Sequence, residues 1–162
     1  MDRELSVALV VVLAAIVITS SMYFFVEKED DRPSTSFQDP PGFYPQYGVV
    51  RVRFGPTNGD IFPMNCRLSV RGGGSREYGT FSSNDSHTDV FGVLGGENDG
   101  IVVDFKDNFD NGKFNNMDYL DIYWYDADTG DTSYLPDGEY RITLRNKDTR
   151  RLLASIEFNI ES

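Results

Sequence analysis

An all-β, antiparallel β-sandwich of seven to eight strands, preceded by one N-terminal transmembrane helix, is the fold class this sequence predicts. Three observations carry it. From Val49 onward apolar residues alternate with polar ones at period two, the pattern of strands buried on one face. Each alternating run is short and bounded by Gly, Pro, Asn or Asp, the residues that close turns. No stretch after Val26 has a helical period of useful length, whereas residues 5–26 form an apolar run without a charge.

Residues 1–4 are a short polar tail, and residues 5–26, "LSVALVVVLAAIVITSSMYFFV", are the helix. At about 1.5 Å rise per residue the run reaches roughly 33 Å, enough to cross a hydrocarbon core of about 30 Å. Tyr23, Phe24 and Phe25 close its far end, where aromatic rings favour the membrane interface. A cleaved signal peptide is the competing reading. Its apolar region spans about 7–15 residues and ends at small residues, and Thr19-Ser20-Ser21 offers only a poor site that the apolar run passes. The expectation is an uncleaved signal anchor. Counting Lys and Arg, the flanks nearly tie, with Arg3 before the helix and Lys28 and Arg32 after it. A short tail and a long downstream domain then put the C-terminal domain outside the cytoplasm, on a single-pass protein of the cell membrane.

Residues 27–48 hold four of the seven prolines (Pro33, Pro40, Pro41, Pro45) and many charges, the composition of an acidic, partly extended stalk. Phe37, Phe43, Tyr44 and Tyr47 are more apolar than a linker requires, which suits a second half packed along the domain. The domain itself covers residues 49–162. Its strands are read at "VVRVRF" (Val50, Val52 and Phe54 inward), "CRLSVR" (Cys66, Leu68, Val70), "IVVDF" (Ile101, Val103, Phe105) and "YLDIYWY" (Leu120, Ile122, Trp124). "YRITLR" turns in Tyr140, Ile142 and Leu144, and "LLASIEFNI" turns in Leu152, Ala154, Ile156, Phe158 and Ile160. Weaker strands are read near Tyr78–Phe81 and Val90–Leu94.

Beyond Val26 the chain keeps 24 acids and 14 bases, a net charge of −10. Such an exterior repels nucleic acid and anionic head groups, so nucleic acid is excluded as a partner. Cys66 is the single cysteine, which excludes an intrachain disulfide. It reads as a small buried hydrophobe, with an intermolecular bridge as the alternative. Arg51, Arg53, Arg67, Arg71, Arg141 and Arg145 fall on the polar sides of strands while most acids lie in loops. These are either solvated faces that resist edge-to-edge pairing or an assembly face for the acidic loops of a neighbouring copy.

A catalytic set is missing. His87, the only histidine, lies in "NDSHTD", where Ser83, Ser86 and Asp89 are neighbours in sequence but not a triad. "RGGGSR" (Arg71–Arg76) lacks a following helix to complete a phosphate cradle and reads as a hairpin tip. One histidine and one cysteine cannot make a usual zinc site. The chain is expected to be no enzyme and to require no cofactor. Asn84 begins the only N-x-[ST] sequon and is a candidate glycosylation site.

Calcium is the one candidate ion. "DNFDNGKFNNMD", residues 107–118, approaches the spacing of a calcium loop, with Gly112 at its sixth position. Asp107, Asn111, the Lys113 carbonyl and Asp118 could supply oxygens, with Asp110 replacing the ligand that Phe109 cannot give. The competing reading is a polar turn in which Asn111-Gly112 provides positive φ. Strands on both sides exclude a two-helix calcium hand. A second acidic turn, "DADTGD" (Asp126–Asp131), reads as a hairpin loop.

"YLPDGEYRITL" (Tyr134–Leu144), followed by a turn and "LLASIEFNI", resembles the terminal hairpin of immunoglobulin-like and transthyretin-like extracellular modules, whose L-x-x-G-x-Y turn leads into the penultimate strand. That resemblance implies an immunoglobulin-like strand arrangement. The hydrophobic N-terminus, the stalk and "VVDFKDNFDNGKFNNMDYLDIYW" are similar to membrane-anchored archaeal pilin-like proteins. "MDRELSVALVVV" puts Glu4 beside the apolar run, without the Gly or Ala cleavage site of a pilin leader before it. The resemblances imply a surface protein whose sandwich serves adhesion or assembly with other surface proteins or copies of itself. The alternative is a calcium-binding module for a ligand such as carbohydrate, using the 107–118 loop and exposed Tyr123 and Tyr125.

Overall fold

The computed structural model describes residues 32–81, 89–92 and 99–161. Among the described residues ten strands form, the longer ones where alternation meets a turn that lets the chain reverse. The apolar run 5–26, Asn84 and His87 lie outside the described residues. No helix among the described residues is long and apolar enough to cross a membrane. The strands are β1 (Gly42–Tyr44), β2 (Val49–Arg53), β3 (Cys66–Gly72), β4 (Ser75–Thr80), β5 (Asp89–Gly92), β6 (Gly100–Lys106), β7 (Tyr119–Tyr125), β8 (Thr132–Ser133), β9 (Gly138–Asn146) and β10 (Leu152–Ile160). One sheet runs β1-β2-β7-β6-β5, with β8 added to β7, and the other runs β10-β9-β3-β4. All pairs are antiparallel.

The inward faces are those that the alternation marks. Val50, Val52 and Phe54 meet Leu68, Val70, Ile101, Phe105, Leu120, Ile122, Ile142 and Leu144 in one buried cluster. Each fully buried aliphatic or Phe side chain stabilises the fold by about 1.5–3 kcal/mol. A knot of phenylalanines closes one end of that core. Phe114 stacks on Phe54 at 4.4 Å between centroids, and Phe105 and Phe81 meet Phe114 edge-on at 5.2 Å and 5.5 Å.

Two parts depart from the sequence reading. The compact unit runs Pro33–Ser162, so the packing expected of the second half of residues 27–48 extends back to Pro33. Their apolar residues explain this. Phe37 is buried and lies 5.2 Å from Phe54, and Gly42–Tyr44 pairs with β2 as an edge strand. The second departure lies in β10, where Leu152 pairs with Arg145 and Ala154 with Leu144. Leu153 is therefore the extra residue of a β-bulge, which lets Leu153 and Ala154 both turn inward. Leu153 is 8% exposed while Leu152, expected inward, is 48% exposed.

The sandwich has two distinct ends. At one, the chain enters and Ser34 bridges to Asn58. There the 54–65 loop meets the 107–118 loop through Phe54 N–H to Asp118 O (2.8 Å) and Phe114 N–H to Ile61 O (2.9 Å). At the other lie the β3–β4 hairpin and the segment from Asp126 to Gly138. A Cβ added to Gly73 would lie 3.7 Å from the Trp124 ring, and one on Gly138 would lie 3.9 Å from Gly73 N.

Candidate functional site

The 107–118 loop joins β6 to β7, and its carboxylates are turned inward on the loop itself. Asp107 Oδ1 accepts the backbone N–H groups of Phe109 and Asp110, both at 2.9 Å. Its Oδ2 accepts those of Asn111 (3.0 Å) and Gly112 (2.9 Å). Asp118 Oδ1 accepts the Asn108 N–H (2.9 Å), and its Oδ2 accepts the Asn115 N–H (2.7 Å). The Asn111 side-chain oxygen takes the Lys113 N–H and the Asn115 amide, and the Lys113 carbonyl takes the same amide at 2.8 Å.

The oxygens of Asp107, Asn111, Lys113 and Asp118 that could ligate calcium are thus occupied by N–H donors. Asp110 is exposed and does not fill the gap left by Phe109. No group of three His, Cys, Asp or Glu side chains suited to a metal occurs among the described residues. In this arrangement four amide dipoles point at the two oxygens of Asp107, so a calcium ion on that carboxylate would have to displace them. The backbone pays with left-handed conformations at Asp110 (φ 53), Gly112 (φ 70) and Met117 (φ 83). Gly112 adopts its conformation without a Cβ penalty. Asp118 is fully buried. Burial raises its pKa above the ordinary carboxylate value, the N–H bonds from Asn108 and Asn115 pull it back, and the Asp107 charge adds to the rise.

With Asp107 closing the turn, Phe114 drops into the core while Phe109 stands outside it, 56% exposed. Pro56, Thr57, Phe109, Asn111, Asn115 and Asn116 line an open cleft of about 470 Å³. An exposed ring beside amide side chains suits a polar ligand with an apolar face. Tyr123 and Tyr125, expected to be exposed, are half-buried and buried respectively. Burial raises the Tyr123 pKa, with Asp104 and Asp121 adding to it.

The six outward arginines do not share one face. Arg51 and Arg53 lie on the β1-β2-β7-β6-β5 sheet, where Arg51 binds Asp121 through Nε (2.7 Å) and Nη2 (2.8 Å). Its guanidinium lies 3.9 Å from the Tyr119 ring centroid. That hydrogen bond to Asp121 raises the Arg51 pKa against the opposing effect of burial. Arg51 is a clasp within its own sheet. The reason is register, since Arg51 faces Asp121 directly across the β2–β7 ladder.

Arg67, Arg71, Arg141 and Arg145 do come together, on the outer face of the other sheet. Arg67 faces Arg145, and Arg71 faces Arg141. Arg76 joins them, opposite Arg71 across the β3–β4 hairpin. Reading "RGGGSR" only as a tip hid Arg76. The signal was present: a two-residue turn at Gly73-Gly74 puts Gly72 opposite Ser75 and Arg71 opposite Arg76. Those glycines have φ 55 and 79, as a type I′ hairpin turn requires. Arg141 also pairs with Glu157 of β10. Arg67 stacks on Tyr78 at 4.6 Å. Beside the row lies an open hollow of about 970 Å³, lined by Arg71, Arg76, Arg141 and Gly72–Gly74, and also by Glu139 and Glu157.

No protein-family model matches this chain, and no curated protein matches it.

Proposed function

We propose that this chain is a non-enzymatic, single-pass membrane-anchored surface protein whose immunoglobulin-like sandwich serves assembly or adhesion, as a pilin-like subunit does. The observation that carries the reading is the arginine row on one sheet of an otherwise acidic chain. Arg76, Arg71 and Arg141 stand side by side on three neighbouring strands, on a protein of net charge −11. Strand order supports the immunoglobulin-like part. With β1, β2, β3, β4, β6, β7, β9 and β10 lettered A, B, C, C′, D, E, F and G, the sheets read A-B-E-D and G-F-C-C′. The Tyr140 hydroxyl donates to the Pro136 carbonyl at 2.8 Å, the tyrosine corner of such modules. The apolar run 5–26 supports the anchor.

Fractionation of cells that make the protein tests the reading. The full chain is expected to stay with membranes through an alkaline wash and to lose its C-terminal domain to protease added outside intact cells. Recovery of the intact chain as a soluble cytoplasmic protein overturns it.

The Phe109 cleft favours a second reading, a carbohydrate-binding module. Stacking of a sugar on the ring and hydrogen bonds from Asn111 and Asn116 would carry the binding. Glycan-array binding that survives Phe109→Ala unchanged removes this reading. Binding that needs added calcium would restore the metal to the 107–118 loop.

A further inference from the structure

We propose that the arginine row Arg76–Arg71–Arg141 docks the acidic turn Asp126–Asp131 of a second copy of this chain, in a two-fold pair. The inference rests on the assembly reading above and names the partner. Strands in a sheet lie about 4.8 Å apart, so three arginines directly opposite one another crowd like charges, which is destabilising in an isolated sheet. Glu157 pairs with Arg141, and Glu139 lines the same hollow without an ion pair to Arg71 or Arg76 among the described residues. Arg71 has an arginine on each side, Arg141 on β9 and Arg76 on β4. A cluster of carboxylates from outside relieves that crowding, and the open hollow beside the row leaves space for a projecting turn.

The turn between β7 and β8 has that shape and charge. Asp126 Oδ1 accepts the N–H groups of Asp128 (2.9 Å) and Thr129 (3.0 Å), and Gly130 N–H bonds back to Asp126 O (2.8 Å). Asp99 Oδ1 fixes the turn further through the Ala127 N–H at 2.8 Å. The turn is thereby held in one conformation, with Asp128 and Asp131 exposed. Row and turn lie at the same end of the sandwich. A surface carrying both signs side by side complements itself, so one two-fold axis makes the contact twice. A polyanion would satisfy the row once, and it would meet the repulsion of a chain whose net charge is −11.

The test uses the full chain in detergent, with its mass measured by sedimentation over a range of concentrations. The wild-type chain is expected to pair. Arg71→Glu/Arg76→Glu and Asp128→Lys/Asp131→Lys are each expected to weaken pairing about tenfold or more, since like charges then face one another. Asp126 stays intact because it holds the turn. Mixing the two variants in equal amounts restores pairing to within about threefold of wild type, because both contacts of the mixed pair are again of opposite sign. A monomeric wild-type chain, variants that pair as wild type does, or a mixture that fails to pair each overturn the proposal. If the wild-type chain stays monomeric yet binds dextran sulfate through Arg71 and Arg76, the row serves a polyanion instead. Circular dichroism checks folding of each variant, and Arg71→Ser/Arg76→Ser must weaken pairing in the same direction. The measured mass does not depend on where fractionation finds the protein, so the two readings fail separately.

Discussion

Asp107 holds more of the 107–118 loop than any other side chain, because its two oxygens receive four backbone N–H groups. Such groups are costly to leave unmade where water is excluded. Asp107→Ala is expected to lower unfolding free energy by about 2–4 kcal/mol in urea titrations. Millimolar calcium is expected to leave the melting temperature of the wild-type chain unchanged. A rise of several degrees with calcium would show that the N–H groups yield to the ion. Cys66 gives a pH signature at the same scale. Burial pushes its thiol up to about 12, and burial, with Asp137 adding, pushes the Tyr140 phenol up to about 12. The folded chain keeps protons that the unfolded chain loses at about 8.5 and 10. Both contributions to stability are therefore complete below the unfolded values and are lost as pH rises through the folded ones. The urea midpoint is expected to fall as pH rises from 9 towards 12, and Cys66→Ala is expected to flatten the first part of that fall.

Between β8 and β10, one partly buried hydrogen bond and one bulge decide how the last hairpin seats. Tyr140 stacks on Phe158 at 5.5 Å and ties its hydroxyl to Pro136. Tyr140→Phe keeps the ring and loses the bond, at an expected cost of about 1–2 kcal/mol. The bulge reverses what simple alternation implies for β10. Leu153→Ala is expected to cost about 2–3 kcal/mol and Leu152→Ala less than about 0.5 kcal/mol. The opposite order in thermal melts would place Leu152 in the core. Here the limits of the sequence become physical. Period-two patterning marks the core faces of β2, β3 and β9 because each has a wetter and a dry side, whereas β6 is buried on both faces from Gly100 to Val103. Patterning could not mark a bulge, which needs one extra residue and leaves the flanking pattern apolar. It could not mark β1, whose three residues are too few to show a period. The same gap hid Arg76, while Arg51 looked like any outward arginine until register set it against Asp121.

Taken whole, the sandwich depends on residues that composition assigns to a linker. Four prolines and many charges argue for an extended stalk up to Gly48, and only Phe37, Phe43, Tyr44 and Tyr47 point the other way, while the contacts of residues 34–38 lie some twenty residues further along the chain. Ser34 exchanges backbone hydrogen bonds with Asn58, at 2.9 Å and 2.8 Å, and Gln38 N–H bonds to Arg53 O at 2.8 Å. The Gln38 side chain reaches Asn116 Oδ1 in the 107–118 loop at 3.0 Å. The Phe37 ring covers Phe54 at the end of the core. β1 also covers the outer edge of β2, and an uncovered edge strand is a template for aggregation. A chain beginning at Pro33 is therefore expected to fold and melt in one cooperative transition. One beginning at Val49 loses the Phe37 burial, worth about 2–3 kcal/mol, and bares the edge of β2. It is expected to melt at a lower temperature, without full reversibility, and to associate with rising concentration even when Arg71→Glu/Arg76→Glu is present. That last condition separates exposed-edge aggregation from docking through the arginine row. Equal melting of the two chains would return residues 33–48 to the role of a stalk.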